Sequence, residues 1–197
     1  ITGTAVIKED KVSFIKDISG LNYRLAGEVI GAADEAVPMI LKGGGIKNTL
    51  IISPPGAGKT TMLRDIVRQL SYKSYRVSVV DERSEIAALC EGRSAFDLGF
   101  STDVLEGVDK AEGMLMVLRS MSPDVIVTDE IGKQSDIDAI ERITNSGAAV
   151  IATIHGRNID MIKRRDDLKR MLKFFDLIIT LSRRKGIGTV EEALTEW

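Results

Sequence analysis

The sequence has very few of the residues on which disulfide-stabilised and zinc-binding proteins depend. Its 197 residues include one cysteine, Cys90, and one histidine, His155. A single cysteine excludes a disulfide within the chain and is typical of a reducing compartment. One cysteine and one histidine are also too few for a zinc site built from such ligands. No apolar run reaches the roughly 18–20 residues of a membrane-spanning helix, and no signal-peptide pattern is visible.

A surplus of positive charge is also missing. The chain has 27 Lys and Arg against 29 Asp and Glu, which gives a formal net charge of −2 and a pI of about 5.6. We therefore expect no nucleic-acid partner, because phosphate backbones are bound through an evident basic face. The first residue is Ile1 rather than methionine, within a β-rich segment, so we expect the sequence to be a fragment of a longer chain.

The most informative motif is the segment Ser-Pro-Pro-Gly-Ala-Gly-Lys-Thr-Thr at positions 53–61. It follows an apolar strand-like run and precedes a helical pattern, an order typical of a phosphate-binding P-loop. We expect backbone N–H groups, Lys59 and the helix N-terminus to bind the phosphates of ATP, and the Thr60 hydroxyl to bind Mg²⁺. Ser53 replaces the first glycine of the pattern, at a position that does not cradle phosphate. The predicted nucleotide-binding residues here are Pro55, Gly56, Ala57, Gly58, Lys59, Thr60 and Thr61.

The residues before this motif predict a small β-rich segment. Alternating patterns at 4–7 and 12–15 favour a hairpin, and 21–25 favours a third strand. Residues 33–41 have helical spacing. The glycines that follow at 43–45 predict a boundary or a flexible joint.

The boundary divides the chain into a partial N-terminal segment, 1–45, and a P-loop ATPase domain, 46–197. In the second part short β-branched strands alternate with helices, which is typical of a mostly parallel, doubly wound α/β sheet covered on both faces. The predicted strands are 48–52, 76–80, 125–128, 149–154 and 177–181, and the predicted helices are 59–71, 111–121 and 135–145.

A second motif is Pro-Asp-Val-Ile-Val-Thr-Asp-Glu at 123–130, an apolar strand that ends in two acids, as a Walker B element does. In this interpretation Asp129 binds Mg²⁺ and Glu130 orients or deprotonates the attacking water, while positioning and charge stabilisation do most of the catalysis. The alternative is that the two acids cap the helix that follows. The pair favours hydrolysis over passive binding, because a nucleotide switch needs a metal ligand but no water-activating carboxylate.

Two further strand ends carry polar residues. Ligands of open α/β sheets collect at the carboxyl ends of strands, so both are candidates for the same site. The segment Asp-Glu-Arg-Ser-Glu at 81–85 is one, and a solvated loop of mixed charge is its alternative. His155 is the other, with an imidazole that could sense the γ-phosphate; the alternative is a satisfied core or surface histidine. The basic run at 183–185 is weak evidence for a phospholipid or nucleic-acid contact.

The order of P-loop, acidic strand end, Walker B pair and Thr-Ile-His at 153–155 resembles the secretion ATPases of type II and type IV systems. A narrower likeness, over about 18–156, is to the stage III sporulation protein AA family. Secretion ATPases typically have Gly-Glu in place of Asp129-Glu130, and many carry a zinc-binding cysteine cluster that this sequence lacks. The matching segments of the sporulation family include 55–70, 80–87, 110–116 and 119–132.

The resemblance implies a RecA-like P-loop core and roles for individual residues. It implies nucleotide binding by Asp81 and catalytic roles for Glu82, Glu85 and His155 beside Glu130. Nucleotide would lie between the N-terminal domain and the P-loop domain, and closure about the glycine joint would bring the two together. Arg24 is then a candidate to reach a nucleotide phosphate from its own or a neighbouring subunit, with Arg83 and Arg119 as rivals.

The resemblance also implies a biological setting. It implies a cytoplasmic ATPase of endospore-forming bacteria that acts in the mother cell as a ring hexamer, peripheral to the membrane through its partners. Those partners would be membrane proteins of the same sporulation channel, which faces the forespore. Two alternatives stay open: a nucleic-acid-stimulated ATPase on the same RecA-like core, and a nucleotide-gated assembly scaffold with little turnover.

Overall fold

A mixed sheet forms the centre of the computed structural model, which describes residues 1–22 and 27–197. Within these ranges the sheet has seven strands; six run parallel, and the strand at one edge is antiparallel to its neighbour. From that edge the order is β11 (Thr189–Leu194), β10 (Leu177–Ser182), β3 (Thr49–Ser53), β9 (Ala149–His155), β8 (Val125–Thr128), β4 (Val77–Asp81) and β7 (Thr102–Glu106). The predicted mostly parallel α/β fold is confirmed.

Helices cover both faces of the sheet, because successive residues of its buried strands point to opposite sides. On β3, Leu50 and Ile52 belong to one apolar core and Ile51 to the other. Met114 and Ile140, from α3 and α4, complete the first core, while α1 and α2 contribute to the second. These helices are α1 (Ala36–Ile40), α2 (Lys59–Tyr72), α3 (Lys110–Met121) and α4 (Gln134–Asn145).

The N-terminal residues form an antiparallel hairpin, as predicted, from β1 (Thr2–Lys8) and β2 (Lys11–Gly20). The third predicted strand, 21–25, lies largely outside the described residues. Helix α1 is shorter than the predicted 33–41, and its buried side chains belong to the same core as those of α2. Part of the predicted N-terminal segment therefore packs into the P-loop core, and the boundary at 43–45 stays a prediction.

The remaining elements are short or lie at the edges of the sheet. Strands β7 and β11 are edge strands that the sequence did not predict. Among the described residues, no helix is long and apolar enough to cross a membrane. The other short elements are β5 (Leu89–Cys90), β6 (Arg93–Ser94), α5 (Ile159–Lys163), α6 (Asp166–Lys169) and a 3-10 turn, Leu172–Phe174.

Candidate functional site

The P-loop follows β3 directly and leads into α2. Ser53 is fully buried, and its hydroxyl donates a hydrogen bond to the carbonyl oxygen of Pro54 at 2.8 Å. A small side chain is therefore accommodated where the common pattern has glycine. Gly56 and Gly58 have φ angles of 69° and 93°, in the left-handed region that glycine adopts without strain, and Gly58 is the residue immediately before α2.

A cavity of about 490 Å³ opens in front of this loop. The ends of β4, β8 and β9 contribute to it because parallel strands place their carboxyl ends at one edge of the sheet. Most of the predicted site residues therefore meet in one place. The described residues that line the cavity are Pro55, Gly56, Gly58, Lys59, Thr60, Thr61, Arg83, Glu85, Asp129, Glu130 and His155.

A chain of polar contacts crosses the cavity. The Nζ atom of Lys59 lies 3.1 Å from Nδ1 of His155, and Nε2 of the same ring lies 3.2 Å from Oε1 of Glu130. The other carboxylate oxygen of Glu130 accepts a hydrogen bond from Nη1 of Arg83 at 3.3 Å. A neutral imidazole with its proton on Nε2 satisfies both contacts, because Nδ1 then accepts from the ammonium group and Nε2 donates to the carboxylate. One histidine ring thus lies between the P-loop lysine and the Walker B glutamate.

Asp129 is nearly fully buried beside this chain of contacts. Among the described residues its Oδ1 atom has no hydrogen-bond partner, although Nζ of Lys110 lies 3.8 Å away. Burial raises the pKa of Asp129 most; Lys110 opposes this, and Asp81, Glu85 and Glu130 add to it. Asp129 and Thr60 both line the cavity, and a buried carboxylate oxygen without a donor and a hydroxyl are the kind of oxygen ligands that Mg²⁺ prefers.

The acids that follow β4 have different surroundings from one another. Asp81 is fully buried, and its carboxylate accepts hydrogen bonds from the backbone N–H groups of Glu85, Ile86 and Ala87 at 2.8–2.9 Å. Its two oxygens thus organise the loop and lie behind the cavity lining, so the predicted contact of Asp81 with nucleotide has no support in the geometry. Glu82 also lies outside the described lining and forms an ion pair with Lys110 at 3.3 Å. Glu85 reaches the cavity.

Sequence reasoning missed two residues that support the Walker B pair. Lys110, the first residue of α3, is 5% exposed and contacts the backbone oxygen of Glu130 at 3.2 Å. Thr153 of β9 accepts a hydrogen bond at its hydroxyl from the N–H of Glu130 at 2.9 Å. The sequence pattern predicts an exposed side chain for a lysine after a helix-capping aspartate, and a core position for a threonine within an apolar strand. Neither pattern therefore indicates a role beside the Walker B pair.

A third missed contact joins the P-loop to the β10–β11 turn. Nε and Nη2 of Arg183 donate to the backbone oxygen of Gly56 at 2.9 and 2.7 Å, and the N–H of Gly188 donates to the oxygen of Ala57 at 3.0 Å. The basic run at 183–185 thus begins with a residue that supports the P-loop.

The remaining predicted residues are absent from the described lining of the cavity or lie outside the described residues. Ala57 is fully buried. Arg119 lies on α3, where its Nε donates to the backbone oxygen of Leu115 at 3.0 Å. Arg24 lies outside the described residues.

Comparison with known proteins gives one family and one fold. The chain matches the family model for "Sporulation stage III, protein AA" over residues 1–196. It is 39% identical to stage III sporulation protein AA of Bacillus subtilis (strain 168) over an alignment of 199 residues that covers 98% of this chain and 64% of that relative. The chain thus spans less than two thirds of the length of this relative.

The solved structures similar to this chain include two secretion-system ATPases. The VirB11 ATPase of the Brucella suis type IV secretion system aligns with a TM-score of 0.57 and 16% identity, over 82% of this chain and 51% of that one. The ATPase DotB of Legionella pneumophila aligns with a TM-score of 0.52 and 22% identity, over 68% of this chain and 40% of that one. At these identities the likeness shows the fold, which is a RecA-like P-loop ATPase fold.

The family match and the fold agree with the order of elements around the cavity. The P-loop, the acidic end of β4, the Walker B pair after β8 and the histidine that ends β9 all come from the stretch that the family model covers. The sequence over this stretch is thus that of a sporulation protein, on a fold shared with secretion ATPases. The chain belongs to the sporulation stage III protein AA family.

Proposed function

We propose that this chain hydrolyses ATP with Mg²⁺ in the cavity between the P-loop and the ends of β8 and β9. One observation carries the proposal: a single histidine ring contacts both the P-loop lysine and the Walker B glutamate, at 3.1 and 3.2 Å. A γ-phosphate held by the P-loop would therefore meet a cation, an imidazole and a carboxylate together. A cation stabilises charge on the transferring phosphoryl group, and a carboxylate can orient the attacking water.

Each group in the cavity has a distinct task in this proposal. Lys59 exchanges its contact with His155 for phosphate oxygens when ATP binds, and the freed Nδ1 of His155 then takes a proton, with which it donates a hydrogen bond to the γ-phosphate. Thr60 and Asp129 would hold Mg²⁺, which supplies positive charge to the β- and γ-phosphates. Glu130 orients the attacking water.

The reaction then follows the usual course of phosphate hydrolysis. The water oxygen forms a bond to the γ-phosphorus as the bond between that phosphorus and the β–γ bridging oxygen breaks. Glu130 accepts the proton that the water loses, and ADP and inorganic phosphate are the products. Glu85 and Arg83, which also line the cavity, are placed to act on the water or the departing phosphate. The predicted catalytic role of Glu82 is indirect in this geometry, since Glu82 pairs with Lys110.

The biological setting is part of the same proposal. Family membership and the secretion-ATPase fold support a ring, with six subunits as the expected number, that works in the mother-cell cytoplasm and energises a membrane channel facing the forespore. The membrane proteins of that channel would be its partners, and no nucleic acid is required. Arg83 lines the cavity, which supports it over Arg119 for the arginine role, while Arg24 stays a prediction.

Two substitutions test the ATPase. Lys59→Ala should abolish ATP binding and turnover together. Glu130→Gln should bind Mg·ATP with affinity within a few-fold of the wild type but hydrolyse it at least about 100-fold more slowly, since an interaction made only in the transition state is lost. Glu141→Gln is the matched control, because this glutamate is half-exposed on α4, where its carboxylate pairs with Lys173.

Turnover is measured together with mass by light scattering, with and without Mg·ATP, and with and without single-stranded DNA. Turnover that depends on Lys59, rises as oligomers form and ignores DNA supports a ring motor. A Glu130→Gln protein that hydrolyses ATP like the wild type would contradict the catalytic assignment. Stimulation by DNA would favour the nucleic-acid-dependent alternative, and tight binding without turnover in any oligomer would favour the scaffold.

A further inference from the structure

Lys110 is a buried cation directly behind the two Walker B acids. Its side chain is 7% exposed, and Nζ lies 3.3 Å from Oε2 of Glu82, 3.2 Å from the backbone oxygen of Glu130 and 3.8 Å from Oδ1 of Asp129. A lysine is rarely buried unless its charge is paired, because removing an ammonium group from water is costly. Here its contacts are with oxygens from the ends of β4 and β8, and it lies outside the described lining of the cavity.

Glu130 needs such support because its backbone is strained. Its φ angle is 39°, in the left-handed region that residues with a β-carbon rarely occupy. Strained residues at functional sites persist only where the surrounding structure holds them. The turn is held on one side by Thr153, which accepts from the N–H of Glu130 and whose carbonyl accepts from Ile131, both at 2.9 Å. On the other side the ammonium group of Lys110 donates a hydrogen bond to the carbonyl oxygen of Glu130.

The strained turn sets the direction of the two acids. Glu130 points its carboxylate at Arg83 and His155 across the cavity, and Asp129 points into the same space from a buried position. If the Glu130 turn relaxed, its carboxylate would leave that position. Because Lys110 also faces Asp129, one group both fixes the turn and balances the buried negative charge behind it.

We propose that Lys110 is a positioning residue for hydrolysis: it holds the Glu130 turn in its strained conformation and contributes to kcat without contributing to ATP affinity. This inference rests on the proposed ATPase function. Lys110 acts through Glu130, since Lys110 itself lies outside the described lining of the cavity. Precise positioning of catalytic groups raises the reaction rate, and a small displacement of such a group lowers that rate strongly.

Lys110→Met tests the inference, because methionine has a similar length and carries no charge. We expect kcat to fall by about 100-fold and the KM for ATP to change by less than about threefold, as for loss of an interaction that matters only in the transition state. Lys133→Met is the matched control. Lys133 is 62% exposed, and its Nζ lies 3.2 Å from Oδ2 of Asp109 and 3.9 Å from Oε1 of Glu82, so its removal takes a cation from the same acid. Its kcat should stay within about twofold.

Hydrogen exchange gives a readout that does not depend on turnover. In the nucleotide-free protein, the amides of Glu130 and Ile131 should exchange at least about tenfold faster in Lys110→Met than in the wild type or in Lys133→Met, because the turn that protects them opens more often. A wild-type chain without turnover would contradict the proposed function, and the exchange rates would still test the role of Lys110.

The possible outcomes separate cleanly. Unchanged kcat in folded Lys110→Met, a change in KM alone, or unchanged exchange at Glu130 and Ile131 would each overturn the inference. If Lys110→Met fails to give a cooperative melting transition, Lys110→Gln replaces it. A glutamine amide can still donate to the Glu130 carbonyl but carries no charge. We therefore expect a fall in kcat and a rise in exchange that are both smaller than those expected for Lys110→Met.

Discussion

Asp129→Asn should stabilise the nucleotide-free protein at neutral pH. Asparagine has the same shape but removes a buried charge whose Oδ1 atom lacks a hydrogen-bond donor among the described residues. Burial and the neighbouring acids raise the pKa of Asp129 despite the opposing effect of Lys110, so the ionised carboxylate is disfavoured in the folded state. Relief of one such group is worth about 1 kcal/mol, which corresponds to a rise of roughly 2–4 °C in Tm for a protein of this size.

The effect has a defined dependence on pH. In the unfolded chain an aspartate ionises near pH ~3.9, whereas in the folded protein Asp129 keeps its proton to higher pH. As the pH rises from that value through the raised pKa, the wild type loses stability that the variant keeps. The advantage of Asp129→Asn should therefore be largest above the raised pKa and disappear as the pH falls toward 3.9.

Denaturant unfolding between pH 4 and pH 8, without Mg²⁺ or nucleotide, measures the difference. Asp124→Asn is a control of opposite sign, because hydrogen bonding to Arg76 lowers the pKa of Asp124. That variant should be slightly less stable than the wild type at pH 7, by an amount that solvent screening keeps small. An Asp129→Asn protein that is less stable than the wild type at pH 7.5, or a gain that does not depend on pH, would refute the reasoning.

Two further substitutions test the packing and the P-loop. Gly113→Ala should destabilise the protein by about 1–3 kcal/mol, because its new carbon would lie 2.7 Å from side-chain atoms of Val80 and Val108; chemical denaturation against Gly132→Ala, where the described residues leave open space, measures this. Arg183→Ala should weaken ATP binding by about threefold to tenfold, since the lost contact is a charge-assisted hydrogen bond. Arg184→Ala, which changes the exposed neighbour, should leave ATP affinity unchanged. Equal ATP affinities of these two arginine variants, by titration, would contradict the role of Arg183.

Much of the central sheet could be predicted because its signals are local. The strands around 49–53, 77–81 and 125–128 are runs of buried, mostly β-branched residues, and the P-loop motif fixed where the first of them ends. Strands β7 and β11 were not predicted, because they lack such a local signal. Each pairs on one side only and includes acidic residues, so neither has the apolar run of a central strand.

Site residues could be predicted where their place follows from the end of a strand alone. Lys59, Glu130 and His155 end up together because each follows or ends a parallel strand, and that rule can be applied without knowing the strand order. The place of Lys110 depends on the order β8-β4-β7, which brings the start of α3 behind both acidic strand ends. Asp81 shows the limit of the same rule: its position at a strand end suggested a ligand contact, whereas in the structure both of its oxygens accept hydrogen bonds from the loop that follows.

The contact between the β10–β11 turn and the P-loop changes how glycine substitutions in this motif should be interpreted. A β-carbon at Gly56 would collide with Nη2 of Arg183, and one at Gly58 would lie 3.0 Å from a methyl carbon of Ile187. Alanine at either position would therefore displace a neighbouring part of the protein before any nucleotide arrives. A loss of ATP binding in such variants would not distinguish an altered phosphate contact from a displaced turn. Substitutions of Lys59 avoid this ambiguity, because they leave the backbone of the loop unchanged.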